Sequence, residues 1–367
     1  MRARALVMKG PRSLELREVA VPEAPPPGGA IMKVVANGIC GSDWDLYSGQ
    51  MDMPAGRPAP FPMIPGHEPV GRIVSIDPVA AKVWGVSVGD RVVVESRVRC
   101  GVCIDCMNGR GFLCRNSVSY SLISIESGSG LWGGMAEYMS LRPGSVVFKV
   151  PEHLTDEDAA LFNPFGNAFY WTIEAGKVGI GSRVAIFGAG QRGLACAIAA
   201  REAGAATVIV TGLSRDAHKL ALAPLFGATH AVDVEKKDTV AAIRDITGGD
   251  GVDVLVDAVP ESVKPLFHAI EALRRGGILV LAGVRGHPMD GFPLERFRSK
   301  QLHMVGVAAT TSWAVANAVR VLGEGRYPFA KLHSHTFGLE QAERGIRILG
   351  GEIEDELPIH ITVKPQE

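Results

Sequence analysis

Short apolar runs broken by proline and glycine fill residues 1–150. Ile31–Ala36, Val70–Ile76 and Arg91–Glu95 are such runs, and turn clusters at Pro22–Gly29 and Ser87–Asp90 separate them. This spacing predicts a β-rich domain of many short strands. The pattern changes near Asn163. From Arg183 onward, apolar strands at Val184–Phe187, Thr207–Thr211, Val252–Val256 and Ile278–Ala282 alternate with helical stretches at Leu194–Ala203, His218–Phe226 and Val263–Leu273. Alternating strands and helices predict βαβ units around a parallel sheet, so the fold class is α/β. A further helix is expected at Ser312–Leu322, followed by short mixed elements.

The bulk numbers narrow the function by exclusion. A chain of 367 residues holds about two domains at ~150 residues each. With 47% apolar residues a large core can be buried, and with a net charge of −1 no basic field is available to hold nucleic acid or anionic lipid. No apolar run reaches the ~18 residues of a membrane span. The opening Met1–Gly10 stretch is too short and mixed for a signal-peptide core. Six cysteines, four of them clustered, fit a reducing cytoplasm better than a disulfide framework.

Those four, Cys100, Cys103, Cys106 and Cys114, have C-x2-C-x2-C-x7-C spacing. Two-residue spacers let backbone N–H groups bend toward the sulfurs, and four thiolates close a tetrahedral zinc site. Unrelated core cysteines or two disulfides are the plainer alternatives, and the tight clustering disfavours both. A second group, Cys40 in Gly38–Asp43 with His67 and Glu68 after Gly66, offers sulfur, nitrogen and oxygen. Such a mixed set suits zinc with a position open to substrate. Asp43 can accept the second ring N–H of His67 and fix its orientation. A Gly-His-Glu by itself is a weak signal.

The third motif is Gly188-Ala189-Gly190-Gln191-Arg192-Gly193, with a strand before it and an alanine-rich helix after it. In that context Gly188 allows the tight turn, Gly190 the approach of a pyrophosphate and Gly193 the helix–strand contact. The helix N-terminus then faces the phosphates. Nineteen residues after Gly193, where an acid would take the ribose 2′-OH of NAD, stands Gly212. Ser214, Arg215 and Lys219 follow, which favours the 2′-phosphate of NADP. The other reading is a solvated Arg215, with Asp216 serving the ribose. Cys196 is expected in the core, and His333 and His335, alternating with polar neighbours, at the surface. Trp44, Phe61, Phe162 and Trp171 either line a pocket or pack.

With these motifs in order, the chain resembles the zinc-dependent medium-chain dehydrogenase/reductase family over essentially its whole length. The matching stretches are Gly38–Asp43, Gly66–Glu68 with Gly71, Val88–Val92, the four-cysteine lobe, the glycine loop, and Arg274–Ile278 through Gly283. The resemblance implies a GroES-like β domain over residues 1–164, with a zinc lobe at about 96–116. It further implies a Rossmann doubly wound parallel sheet over 165–308 and a return to the first domain over 309–367. It also implies hydride transfer between an alcohol carbon and a nicotinamide, with one catalytic and one structural Zn²⁺ and NAD(P) contacted by Gln191, Arg192 and Gly283 besides the glycines. A homodimer or homotetramer is implied as well.

Cys-Gly-Ser-Asp and Asn163–Asn167 resemble the polyol and threonine dehydrogenase branch. Two departures stand out. Asn163 occupies a position that is usually acidic there, so Cys40 and His67 are the expected ligands, joined by Glu68, with Asn163 as a further candidate. Asp45 stands where many relatives end their proton relay in histidine, and at an ordinary pKa of ~3.9 it is a poor base. Ser42 keeps the hydroxyl that takes the alcohol proton. The expected activity is zinc-dependent, NAD(P)-linked oxidation of a secondary alcohol or polyol, or reduction of the ketone. The alternatives are a zinc-free quinone or enone reductase, or a non-catalytic NAD(P)-binding protein on the same scaffold.

Overall fold

A computed structural model describes residues 1–50, 58–284 and 288–367. The chain forms two compact units, Met1–Asn163 with Val319–Glu367, and Pro164–Ala318.

The first unit is built on a mostly antiparallel sheet. Its strands run in the order His333–Phe337, His360–Val363, Ala30–Gly38, Pro69–Ile76, Arg91–Val94 and Val147–Lys149, and Tyr138–Leu141 also pairs with Ala30–Gly38. Ala30–Gly38 holds the centre because almost every side chain on it is buried. The strand from the far end of the chain joins it antiparallel, with Thr362 opposite Gly38. This places the C-terminal segment against the strand that leads to Cys40. A separate hairpin, Arg2–Gly10 with Ser13–Ala20, packs its apolar side into a core shared with Ile39, Met63, Ile64 and Ile361.

The second unit is a six-stranded parallel sheet in the order His230–Asp233, Thr207–Gly212, Arg183–Phe187, Val252–Asp257, Leu273–Leu281 and His303–Gly306. This 3-2-1-4-5-6 order is that of a dinucleotide-binding sheet. Its central strands are mostly buried apolar residues, with Asp253 interrupting the second, because both faces are covered. The first strand turns at Gly188, which has φ 104°, into the helix Gln191–Glu202. The alanines of that helix are buried, and their small size lets it lie close to the sheet.

Two expected elements differ. The stretch His218–Phe226 splits into a helix, Ala217–Leu222, and a 3₁₀ turn, Ala223–Phe226, because Pro224 lacks the N–H that an α-helix needs. The helix expected to reach Leu273 stops at Ala272, and the strand begins there instead.

Gly193 sets the closeness of helix and strand, since a Cβ there would collide with the carbonyl of Gly188. Gly193→Ala should therefore lower the apparent unfolding temperature, at a cost of about 1–3 kcal/mol for overpacking. Gly190→Ala should cost less, because a Cβ at Gly190 meets nothing within 4 Å. Thermal denaturation of the two variants side by side checks this.

Candidate active site and metal centres

The strand Ala30–Gly38 delivers the chain to Cys40, which caps the helix Gly41–Ser48 in an extended conformation. The buried carboxylate of Asp43, one turn in, accepts the Cys40 N–H at 2.9 Å. Its other oxygen accepts the N–H of Gly66 at 3.4 Å. Gly66, with φ 91°, turns the second segment so that His67 and Glu68 follow. Asn37 makes a second stitch. It accepts the Glu68 N–H at 3.2 Å and donates to the Gly38 carbonyl at 2.8 Å. Two stretches remote in sequence are thereby fixed against each other through buried polar groups.

On this frame, ligand atoms of Cys40, His67 and Glu68 lie within 4.8 Å of one another. The Ser42 hydroxyl donates to the Cys40 sulfur at 3.1 Å and lies 3.5 Å from His67 Nε2. His67 Nδ1 faces Asp43 at 3.7 Å, so the ring turns Nε2 toward the cysteine. Burial disfavours charge on His67, but the charges of Asp43 and Cys40 outweigh it and raise its pKa well above the usual value. The cluster thus favours an added positive charge. Thiol, imidazole and carboxylate in one buried cluster are the donor set that zinc takes. Cys40 and Glu68 are fully buried, while His67 is half-buried. The Asn163 amide donates to Glu68 Oε1 at 3.1 Å, so Asn163 meets the cluster as a partner of Glu68. Asp45 is half-buried on the same short helix, one turn after Ser42.

The second cluster is the lobe of Cys100, Cys103, Cys106 and Cys114, whose sulfurs also lie within 4.8 Å of one another. Cys114 is 3.5 Å from Cys100 and 3.8 Å from Cys103, sulfur to sulfur, and all four are free thiols. Bonds of ~2.3 Å to one tetrahedral ion give sulfur separations of about 3.8 Å, so these four fit a zinc ion. The backbone N–H groups of Val102 and Cys103 hold the Cys100 thiol at about 6. The two-residue spacer makes that approach possible.

In the other unit, Gly190 caps the helix Gln191–Glu202 and leaves its side open, as a pyrophosphate site requires. Gln191 is nearly buried, and Arg192 lies over the Trp171 ring at 5.5 Å. A Cβ at Gly283 would collide with the Val259 carbonyl, so Gly283 serves close packing of the strand ends. The second strand ends at Gly212 with no carboxylate. Beyond it, the Ser214 hydroxyl donates to Asp233 at 2.8 Å and its N–H to Glu235 at 2.7 Å. Lys219 pairs with Asp216 at 2.8 Å, and Arg215 is exposed. Lys236 first, and then the Ser214 hydroxyl, hold the Asp233 carboxyl at about 2.

Cys196 is fully buried, as expected. His333 and His335 correct the sequence reading. They are half-buried and bonded, His333 to Asp158 at 2.7 Å and His335 to Glu356 at 2.8 Å. Distant acids absorb their polarity, so alternation with polar neighbours did not mean exposure. Trp44 packs beside Tyr47 and Arg12, Phe162 is fully buried, Trp171 lies beneath Arg192, and Phe61 packs against the first core. Asn37 went unread in the sequence. Its signal was a lone amide at the end of an apolar strand, just ahead of the Cys40 motif.

The chain matches the alcohol dehydrogenase GroES-like domain over residues 26–152 and the zinc-binding dehydrogenase domain over residues 193–323. A probable alcohol dehydrogenase of Mycobacterium tuberculosis is 40% identical over 99% of this chain and 98% of its own length. An erythritol/L-threitol dehydrogenase of Mycolicibacterium smegmatis is 31% identical over 94% of this chain and 93% of its own. The crystal structure of a zinc-binding dehydrogenase from Sinorhizobium meliloti, described as putative and bound to NADP, superposes with a TM-score of 0.86 at 27% identity, covering all of both chains. Taken with the two donor clusters and the glycine loop, these relationships place the chain in the zinc-dependent medium-chain dehydrogenase family, as an oxidoreductase acting on CH–OH groups.

Proposed function

We propose that this enzyme interconverts a secondary alcohol or polyol with its ketone, using a zinc ion held by Cys40, His67 and Glu68 and a nicotinamide cofactor, with NADP favoured over NAD. The observation that carries the reading is the convergence of those three donors within 4.8 Å, with the Ser42 hydroxyl against two of them. Bound zinc supplies Lewis acidity toward the alcohol oxygen, and NAD(P) carries the hydride. The chain's own residues position and move the proton. Ser42 takes it from the substrate hydroxyl and relays it outward, and Asp45, one turn further along the same helix and a weak base, receives it through the ribose and water. Asp43 holds His67 with Nε2 facing the cluster, and Asn163 holds one oxygen of Glu68. The four-cysteine lobe takes a second, closed zinc site with no room for substrate. Free thiols throughout the described residues support a cytoplasmic location, and the family resemblance supports a homodimer or homotetramer.

The two metal sites predict different failures. Fully loaded protein should hold two zinc ions per chain by metal analysis. Cys40→Ser should lose activity and one ion while keeping its thermal stability. Cys103→Ser should lose the other ion and unfold at lower temperature, because binding at a closed zinc site contributes directly to folding. Equal stability losses in both variants would contradict this division of roles.

The cofactor preference rests on the loop after Gly212. Gly212 brings no carboxylate of its own to meet a 2′-phosphate, and Arg215 is exposed to reach it, while the carboxylates of Asp233, opposite Gly212, and Glu235, both held to Ser214, act against the phosphate. A charge-assisted contact of this kind contributes roughly 1.5–3 kcal/mol. That corresponds to a preference for NADP of about ten- to hundredfold. Arg215→Ala should erase most of it and leave NAD nearly unchanged, as read from KM with each cofactor. Wild type using NAD as well as NADP would contradict the arginine reading.

A further inference from the structure

The two short strands that flank the four-cysteine lobe carry a positive charge that the proposed mechanism leaves unused. Arg97–Val98 and Val118–Ser119 pair antiparallel, with Arg97 opposite Ser119 and Val98 opposite Val118. Directly opposed residues of such a pair project to the same face, with Cβ atoms about 4.5–5.5 Å apart, and the next pair projects to the other face. Val98 and Val118 pack into the core that holds Tyr120, Ile123 and Trp132. Arg97 and Ser119 therefore share the opposite face, and both are half-buried there.

The charge on this face is unbalanced. Glu95 is nearly fully buried, but its carboxylate is paired with Arg99 at 2.7 Å. Among the described residues Arg97 makes no hydrogen bond and no ion pair, and the Ser119 hydroxyl makes none either. Burial first, and the charge of Arg99 second, lower the Arg97 pKa from its usual value. An arginine in a protein stays protonated all the same. A half-buried guanidinium without a counter-charge costs stability, and an apolar side chain of similar length would serve the fold better. A guanidinium fork beside a hydroxyl is, however, the donor set that carboxylates and phosphates take.

We propose that Arg97 and Ser119 form a binding site for the oxyanion of a small molecule, a carboxylate or a phosphate, built from residues distinct from those assigned to zinc and NAD(P). The guanidinium donates two parallel N–H bonds and balances the charge of the anion, and the Ser119 hydroxyl donates a third bond. Arg99 stays with Glu95 and keeps that carboxylate from closing the site.

Calorimetric titration with inorganic phosphate, and in parallel with acetate, tests this at matched ionic strength. Wild type should bind at least one of the two. Arg97→Met keeps most of the stem and removes the charge, and it should weaken that binding about 10- to 100-fold. Ser119→Ala should weaken it about two- to tenfold. Arg215→Ala, in the other unit, should leave the Arg97-dependent binding unchanged. In chloride buffer free of both anions, Arg97→Met should melt above wild type, because it deletes an unbalanced charge. Turnover then distinguishes the sources of the oxyanion. An anion that raises KM for the alcohol with kcat unchanged, in wild type and not in Arg97→Met, assigns the site to an acid group on the substrate; an unchanged KM assigns it to a separate ligand. Absence of wild-type binding to either anion would overturn the proposal, and so would wild-type affinity in Arg97→Met or in Ser119→Ala. Arg97→Met that melts below wild type, or fails to fold, would mark a structural arginine and overturn it as well.

Discussion

Asp43 is the group on which the candidate active site depends. One carboxylate accepts the Cys40 N–H, accepts the Gly66 N–H and faces His67 Nδ1. It thereby joins a helix start to a turn 23 residues further along. A buried carboxylate is costly unless its oxygens are satisfied. Here the partners that satisfy it are the segments bearing the donor atoms, so the same bonds that make burial tolerable fix the geometry of the cluster. Asn37 repeats the device between Gly38 and Glu68.

The rest of the first unit keeps this frame in place. The strand Ala30–Gly38 is buried nearly throughout and gains the strand His360–Val363 as a neighbour. The C-terminal segment thus brings His360 close to Gly38, where a Cβ would stand 3.1 Å from its Nε2. The four-cysteine lobe is a separate case, in which sulfurs are gathered by short spacers and turns rather than by the sheet.

Local chemistry was legible in the sequence, and pairing between distant segments was not. The apolar run at Val184–Phe187 and the glycines after it announced a strand, a turn and a helix, and the structure has them at Arg183–Phe187, Gly188 and Gln191–Glu202. The cysteine spacing announced a cluster because all four residues lie within one short loop region. Arg274–Gly277 hid the start of a strand, since its polar and glycine residues resemble a turn, yet they continue Leu273 into the sheet. His333 was misread because its partners, Asp158 and His360, come from remote segments. Asn37 could not be assigned its role from spacing alone, because it bonds to Glu68 across a strand pairing that no local pattern encodes.

The central claim is that one metal ion at Cys40, His67 and Glu68 is required for oxidation of an alcohol. The most direct test strips that ion from folded protein with a chelator, leaving the four-cysteine lobe loaded, and then titrates zinc back. A secondary alcohol and NADP are present, and nicotinamide absorbance reports turnover. The account predicts that turnover disappears on stripping and returns in proportion to added zinc, reaching its plateau near one ion per chain. Stripped protein that turns over the alcohol as fast as the loaded enzyme would contradict it.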